Sequence, residues 1–141
     1  MKILYVVSDP TIKSLSNAGY TTHISSVIDG LINRGVSVKV MIAGDTLNPG
    51  GRAERFVNIR KRFPLVLRRL KRDLSFIFHD FSWTKEIIRA AKVFKPDIIY
   101  ERSAFLHTSG ARASKRLKIP LVLEINSPAD EIRSLGGSLL F

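Results

Sequence analysis

An α/β fold, a parallel sheet covered by helices on both faces, is what this sequence predicts. Four short apolar runs have strand length, Lys2–Val7, Val36–Ala43, Asp97–Tyr100 and Leu121–Ile125. Apolar residues at helical spacing separate them. Each connection is far longer than a hairpin loop, so the strands return by crossovers and run parallel.

The first strand is followed by a polar loop, residues 8–18. Ile24, Val27, Ile28, Leu31 and Ile32 then recur at helical spacing, and Asn33-Arg34-Gly35 supplies the stop before the second strand. Asn48-Pro49-Gly50-Gly51 marks a turn and opens a basic insert at about 50–80. Pro64 suits the first turn of a helix there. Leu67, Leu70, Leu74 and Ile77 are expected on its inner face, with Arg68, Arg69, Lys71 and Arg72 on the outer one. A separate helix is expected over 82–94, with Trp83, Ile87, Ala90, Ala91 and Phe94 inward and Pro96 just past its end. A short crossover helix over 108–117 joins the last two strands. The whole is a single Rossmann-like domain over 1–141, without repeats or low-complexity tracts.

Composition narrows the function classes. The chain has 141 residues, enough for one domain, and no cysteine, which excludes disulfides, thiolate metal sites and thiol catalysis. No apolar run approaches bilayer-spanning length. The opening MKILYVVSD reads as a first strand without a cleavage pattern, so a cytoplasmic location is expected. Net charge is +11, and the window Arg52–Arg72, with nine basic residues against the single acid Glu54, holds +8 of it. Three readings of that window stay open: a solvated helix face, an anionic membrane surface approached by a peripheral protein, or nucleic acid. Nucleic acid has the weakest support, since no stacking platform accompanies the charge.

Polar residues gather where the strands end. Ser8 and Asp9 follow the first strand, Glu101 and Arg102 the third, and Glu124 and Asn126 close the fourth. In open α/β sheets ligands bind beyond the carboxyl ends of the strands, so these residues are expected to share a cleft. Glu101 and Glu124 form either an acid–base pair or structural ion pairs with Arg102 or Arg112. The loop after the first strand has only Gly19, so a nicotinamide dehydrogenase lacks its fingerprint. His23, His79 and His107 are far apart without ligand spacing, and no metal is expected.

Four segments in order, MKILYVVSD, NAGYTTHISSVIDGLINRGVSVKVMI, KPDIIYERS and KIPLVLEINSP, resemble the N-terminal half of a GT-B-fold retaining glycosyltransferase of the family 4-like group. The resemblance implies an acceptor-side domain that helps move a sugar from a nucleotide-sugar donor to an acceptor hydroxyl, without cofactor or metal. It implies that Gly19, with Tyr20 beside it, lies near the donor diphosphate and the acceptor. It implies that Asn126 and Glu124 are catalytic, Asn126 standing where many relatives have histidine, and that Glu101 and Arg102 line the cleft. Ala18 departs from the usual first loop glycine, and Val36 from the usual histidine. The resemblance also implies a second, donor-binding domain. None follows before Phe141, so a truncated chain, inactive alone, is expected. Arg68, Arg69, Lys71 and Arg72 are the candidates for membrane or anion contact. Two rivals remain: a non-catalytic module whose basic helix binds membrane or nucleic acid, and an unrelated α/β enzyme using Glu101 and Glu124.

Overall fold

The computed structural model describes residues 1–13, 19–47, 65–104 and 106–125. The elements are β1 (Lys2–Val7), α1 (Gly19–Ile32), β2 (Ser37–Ile42), α2 (Ala43–Leu47), α3 (Leu65–Phe94), β3 (Ile98–Arg102), α4 (Ser109–Leu117) and β4 (Leu121–Glu124). The four strands form one parallel sheet in the order β2-β1-β3-β4, the α/β Rossmann-like fold expected. The chain steps from β1 to one side and then crosses to the other. The switch point therefore lies between β1 and β3, the position where such sheets open a crevice.

Register decides which side chains share a face. Tyr5 is level with Tyr100, Val7 with Arg102, and Arg102 with Glu124. Successive residues of a strand alternate sides. Tyr5, Val7, Tyr100, Arg102 and Glu124 therefore face α1, where Ile12 and Ile24 complete the core. Leu4, Val6 and Ile99 face the other way and pack with Trp83, Ile87 and Ala91 of α3 and Ala113 of α4. Glu101 shares this second face, being level with Val6 and Leu123.

α1 ends in a turn where Gly35 takes φ +75° and its N–H reaches Ile32 O, a left-handed step that suits glycine. β3 runs two residues further than the sequence suggested, so Glu101 and Arg102 are strand residues with fixed directions.

α3 corrects the expectation of two helices. It is one helix of 30 residues, uninterrupted because no glycine or proline lies between Leu65 and Phe94. Its phase is set by Trp83, Ile87 and Ala91 on the sheet. That phase turns Leu67 and Leu74, expected inward, out to solvent, and buries Asp73 and Asp80 instead. Phe94, at the end of α3, has Lys2 Nζ over its ring, level with the start of β1. His79 meets His107, beyond the end of β3. The span between those contacts, about 22 Å at 1.5 Å per residue, matches a six-residue strand. The residues before His79 therefore overhang the carboxyl edge of the sheet.

Candidate functional site

Two carboxylates end adjacent strands, and the sheet sends them to opposite sides. On the α1 side, Glu124 is the hub. Its Oε1 accepts from Arg102 at 2.5 Å and lies 3.1 Å from His23 Nε2, while Oε2 accepts from Tyr5 Oη at 3.2 Å. Tyr5 and Tyr100 stack with ring centroids 5.0 Å apart. Burial, then the neighbouring Glu124 carboxylate, raises both phenol pKa values above the ordinary range, so each phenol keeps its proton and can donate a hydrogen bond to Glu124. Ser103 N–H donates to Glu124 O, which fixes the backbone at this strand end.

His23 joins this hub from one turn inside α1. It stands four residues after Gly19, so both lie on the same side of the helix. An added Cβ at Gly19 would meet no atom of the described residues within 4 Å, so those residues place no demand for glycine there. Tyr20 packs partly into the α1-side core. Gly19, His23, Arg102 and Glu124 thus belong to one rim, at the switch point.

On the other side Glu101 is only 2% exposed. Its Oε1 accepts from Ser8 Oγ at 2.6 Å, Ser109 Oγ at 3.2 Å and Gly110 N–H at 3.0 Å. The carboxylate fills the start of α4, the place where the first N–H groups of a helix want an anion. A Cβ on Gly110 would come within 2.4 Å of Glu101 Oε2, so the close approach requires glycine. This corrects the expectation that Glu101 lines the cleft, because the residue is sealed beneath α4. It also corrects the paired-carboxylate reading. Glu101 and Glu124 cannot act on one substrate atom from opposite faces of a sheet.

A second polar cluster sits where α3 meets α4. Asp80 accepts from Thr108 N–H at 3.0 Å and from the Arg112 guanidinium. Arg112 also donates to Thr84 Oγ1 and lies over the Phe81 ring. His79 Nδ1 stands 3.1 Å from His107 Nε2. Burial, then the adjacent His107, lowers the His79 pKa and keeps that ring neutral. The two histidines, distant in sequence, are thus partners, and Arg112 pairs with Asp80 rather than with a strand-end glutamate. Among the described residues no group of three or more histidine or acidic side chains could hold a metal ion.

Asn126 and Pro128, Ala18, and the first part of the basic insert, up to residue 64, lie outside the described residues. Arg69, Lys71 and Arg72 lie on α3 with their side chains exposed, and Arg68 lies on the same helix. Sequence reading did not assign His23, Tyr5 and Tyr100 to the site. The signal was present in the four-residue step from Gly19 to His23 and in the alternation Tyr100, Arg102. Without the register of β4, nothing tied either to Glu124.

Comparison with known proteins gives one match of consequence. The family model described as Glycosyltransferase Family 4 matches residues 18–139. No curated protein and no solved structure matches the chain.

Proposed function

Since the chain belongs to Glycosyltransferase Family 4, we propose that it is the acceptor-side half of an enzyme moving a sugar from a nucleotide-sugar donor to an acceptor hydroxyl. The observation that supports this most directly is the Glu124 hub. A carboxylate held by Arg102 and Tyr5, with His23 against it, ends a strand beside the switch point, on the same rim as Gly19.

Each part suits the reaction. The start of α1 offers backbone N–H groups and the positive end of a helix to a donor diphosphate. Arg102, already on the rim, adds a fixed positive charge near the same place, which stabilises the charge that grows on a departing diphosphate. Glu124 orients His23, and the pair is placed to hold an acceptor hydroxyl and to take up its proton. Asn126 follows two residues later and is proposed to contact the sugar. In this reading a second domain binds the nucleotide, and the present domain alone does not turn over. No metal is needed for the role assigned to Arg102.

The test is nucleoside diphosphate release from a panel of nucleotide-sugars by the enzyme that contains this domain together with its donor-binding domain. Release is expected with one donor class, and it should fall at least about a hundredfold in Glu124→Gln with near-wild-type circular dichroism, the usual cost of losing a positioned acid–base group. Release unchanged by Glu124→Gln and by Asn126→Ala would end this assignment of roles. Absence of release with every donor would end the transferase reading itself.

A further inference from the structure

From its overhanging part to Lys85, just past His79, α3 carries a stripe that the sheet does not use. Leu67, Leu74, Phe78 and Phe81 return to one side of the helix through steps of seven, four and three. They are 51, 43, 73 and 55% exposed. Lys71 and Lys85 lie along the same side, each four residues beyond one of them, and both are exposed. The two acids between Leu65 and Lys85, Asp73 and Asp80, are buried on the opposite side. The charged side chains that this segment shows to solvent, Arg69, Lys71, Arg72 and Lys85, are therefore all cationic.

We propose that this face of α3 docks on an anionic lipid bilayer, with Phe78 and Leu74 entering the acyl boundary and Lys71 and Lys85 on headgroup phosphates. Apolar side chains alternating with lysines along one line match a surface that is apolar beneath and anionic at its rim. A second copy of the chain matches less well, because it brings +11 against +11. A nucleic-acid backbone would use the lysines and leave Leu67 and Leu74 without a contact. No helix among the described residues is long and apolar enough to cross a membrane, so the attachment is one that lies along the surface. The inference is independent of the transferase reading, since a docking face requires no cleft.

The experiment is co-sedimentation of the 141-residue chain with vesicles of phosphatidylcholine alone and of phosphatidylcholine mixed with phosphatidylglycerol. Binding to the mixed vesicles only, weakening as salt rises, is expected. Lys71→Glu with Lys85→Glu should lower the partition at least about tenfold, two charges being reversed at several-fold each. Leu74→Ser with Phe78→Ser should lower it by about tenfold as well. Both side chains are exposed, so the helical circular dichroism and melting temperature of this variant should equal those of the parent. Equal partition of parent and both variants would overturn the proposal. So would retention on duplex DNA without vesicle binding, or a dimer in sedimentation velocity that Phe78→Ser dissociates.

Discussion

Glu101 and Glu124 stand at the ends of neighbouring strands of the same sheet, yet their surroundings differ. Glu101 is surrounded by donors from its own fold, namely Ser8, Ser109 and Gly110, and is closed to solvent. Glu124 takes its partners from a strand interior and from an exposed histidine on α1, and faces the rim. The difference comes from one residue of register. Glu101 is level with Leu123, so it points beneath α4, whereas Arg102, level with Glu124, points toward α1. A carboxylate at a strand end is thus not a sign of chemistry by itself. The side of the sheet it occupies, and whether its partners are already complete, decide the matter.

The sharpest way to break this comparison is to remove Glu101. Glu101→Ala leaves Gly110 N–H without its acceptor and the Ser8 and Ser109 hydroxyls with only each other, and should cost about 2–4 kcal/mol in urea unfolding. A loss below about 1 kcal/mol would mean that Glu101 is not the structural member of the pair. Gly110→Ala probes the same contact from the helix side. Its methyl group would press on Glu101 Oε2, with an expected cost of about 1–3 kcal/mol. On the other face, Tyr5→Phe removes one hydrogen bond to Glu124 and should cost only about 0.5–1.5 kcal/mol. If the roles proposed above hold, the same substitution should disturb turnover of the proposed transferase more than its small stability change suggests, because it loosens the carboxylate that holds His23.

The smallest effect belongs to His79. Its pKa is lowered in the folded protein, so the unfolded chain binds more protons over the interval just below the ordinary histidine value of about 6.5. The stability tied to the neutral ring is fully present above that value, and it falls with decreasing pH until the folded-state pKa is passed. The slope of melting temperature against pH below about 6.5 should therefore be shallower in His79→Gln than in the parent. His107, Asp80 and Asp9 are the charged or titratable groups that act on this ring. Parallel slopes would show that the ring is not held neutral.

Much of the fold was legible because the four apolar runs and their long connections leave few alternatives to a crossover sheet. The family resemblance was legible for a related reason, since it rested on segments that become β1, α1, β2, β3 and β4. Two things were not legible. The phase of α3 is set by Trp83, Ile87 and Ala91 on the sheet, so Leu67 and Leu74, apolar and correctly spaced, point outward all the same. The roles of the two glutamates depend on the pairing of β3 with β4, which lie about twenty residues apart in sequence. Local pattern carries no information on which residue of one strand stands level with which residue of the other.

The unbroken course of α3 makes it a gauge bar. Phe94 is seated at one end of β1, His79 at the far edge, and the outer stripe continues on the same rod. Whatever lies against Phe78 is thereby kept at a constant reach from Glu124, with no joint between them to absorb error. A single residue inserted after Ser82 would turn every side chain from Leu67 to Phe81 by about 100° relative to the rim while moving it only about 1.5 Å. The distance would survive, and the bearing would be lost.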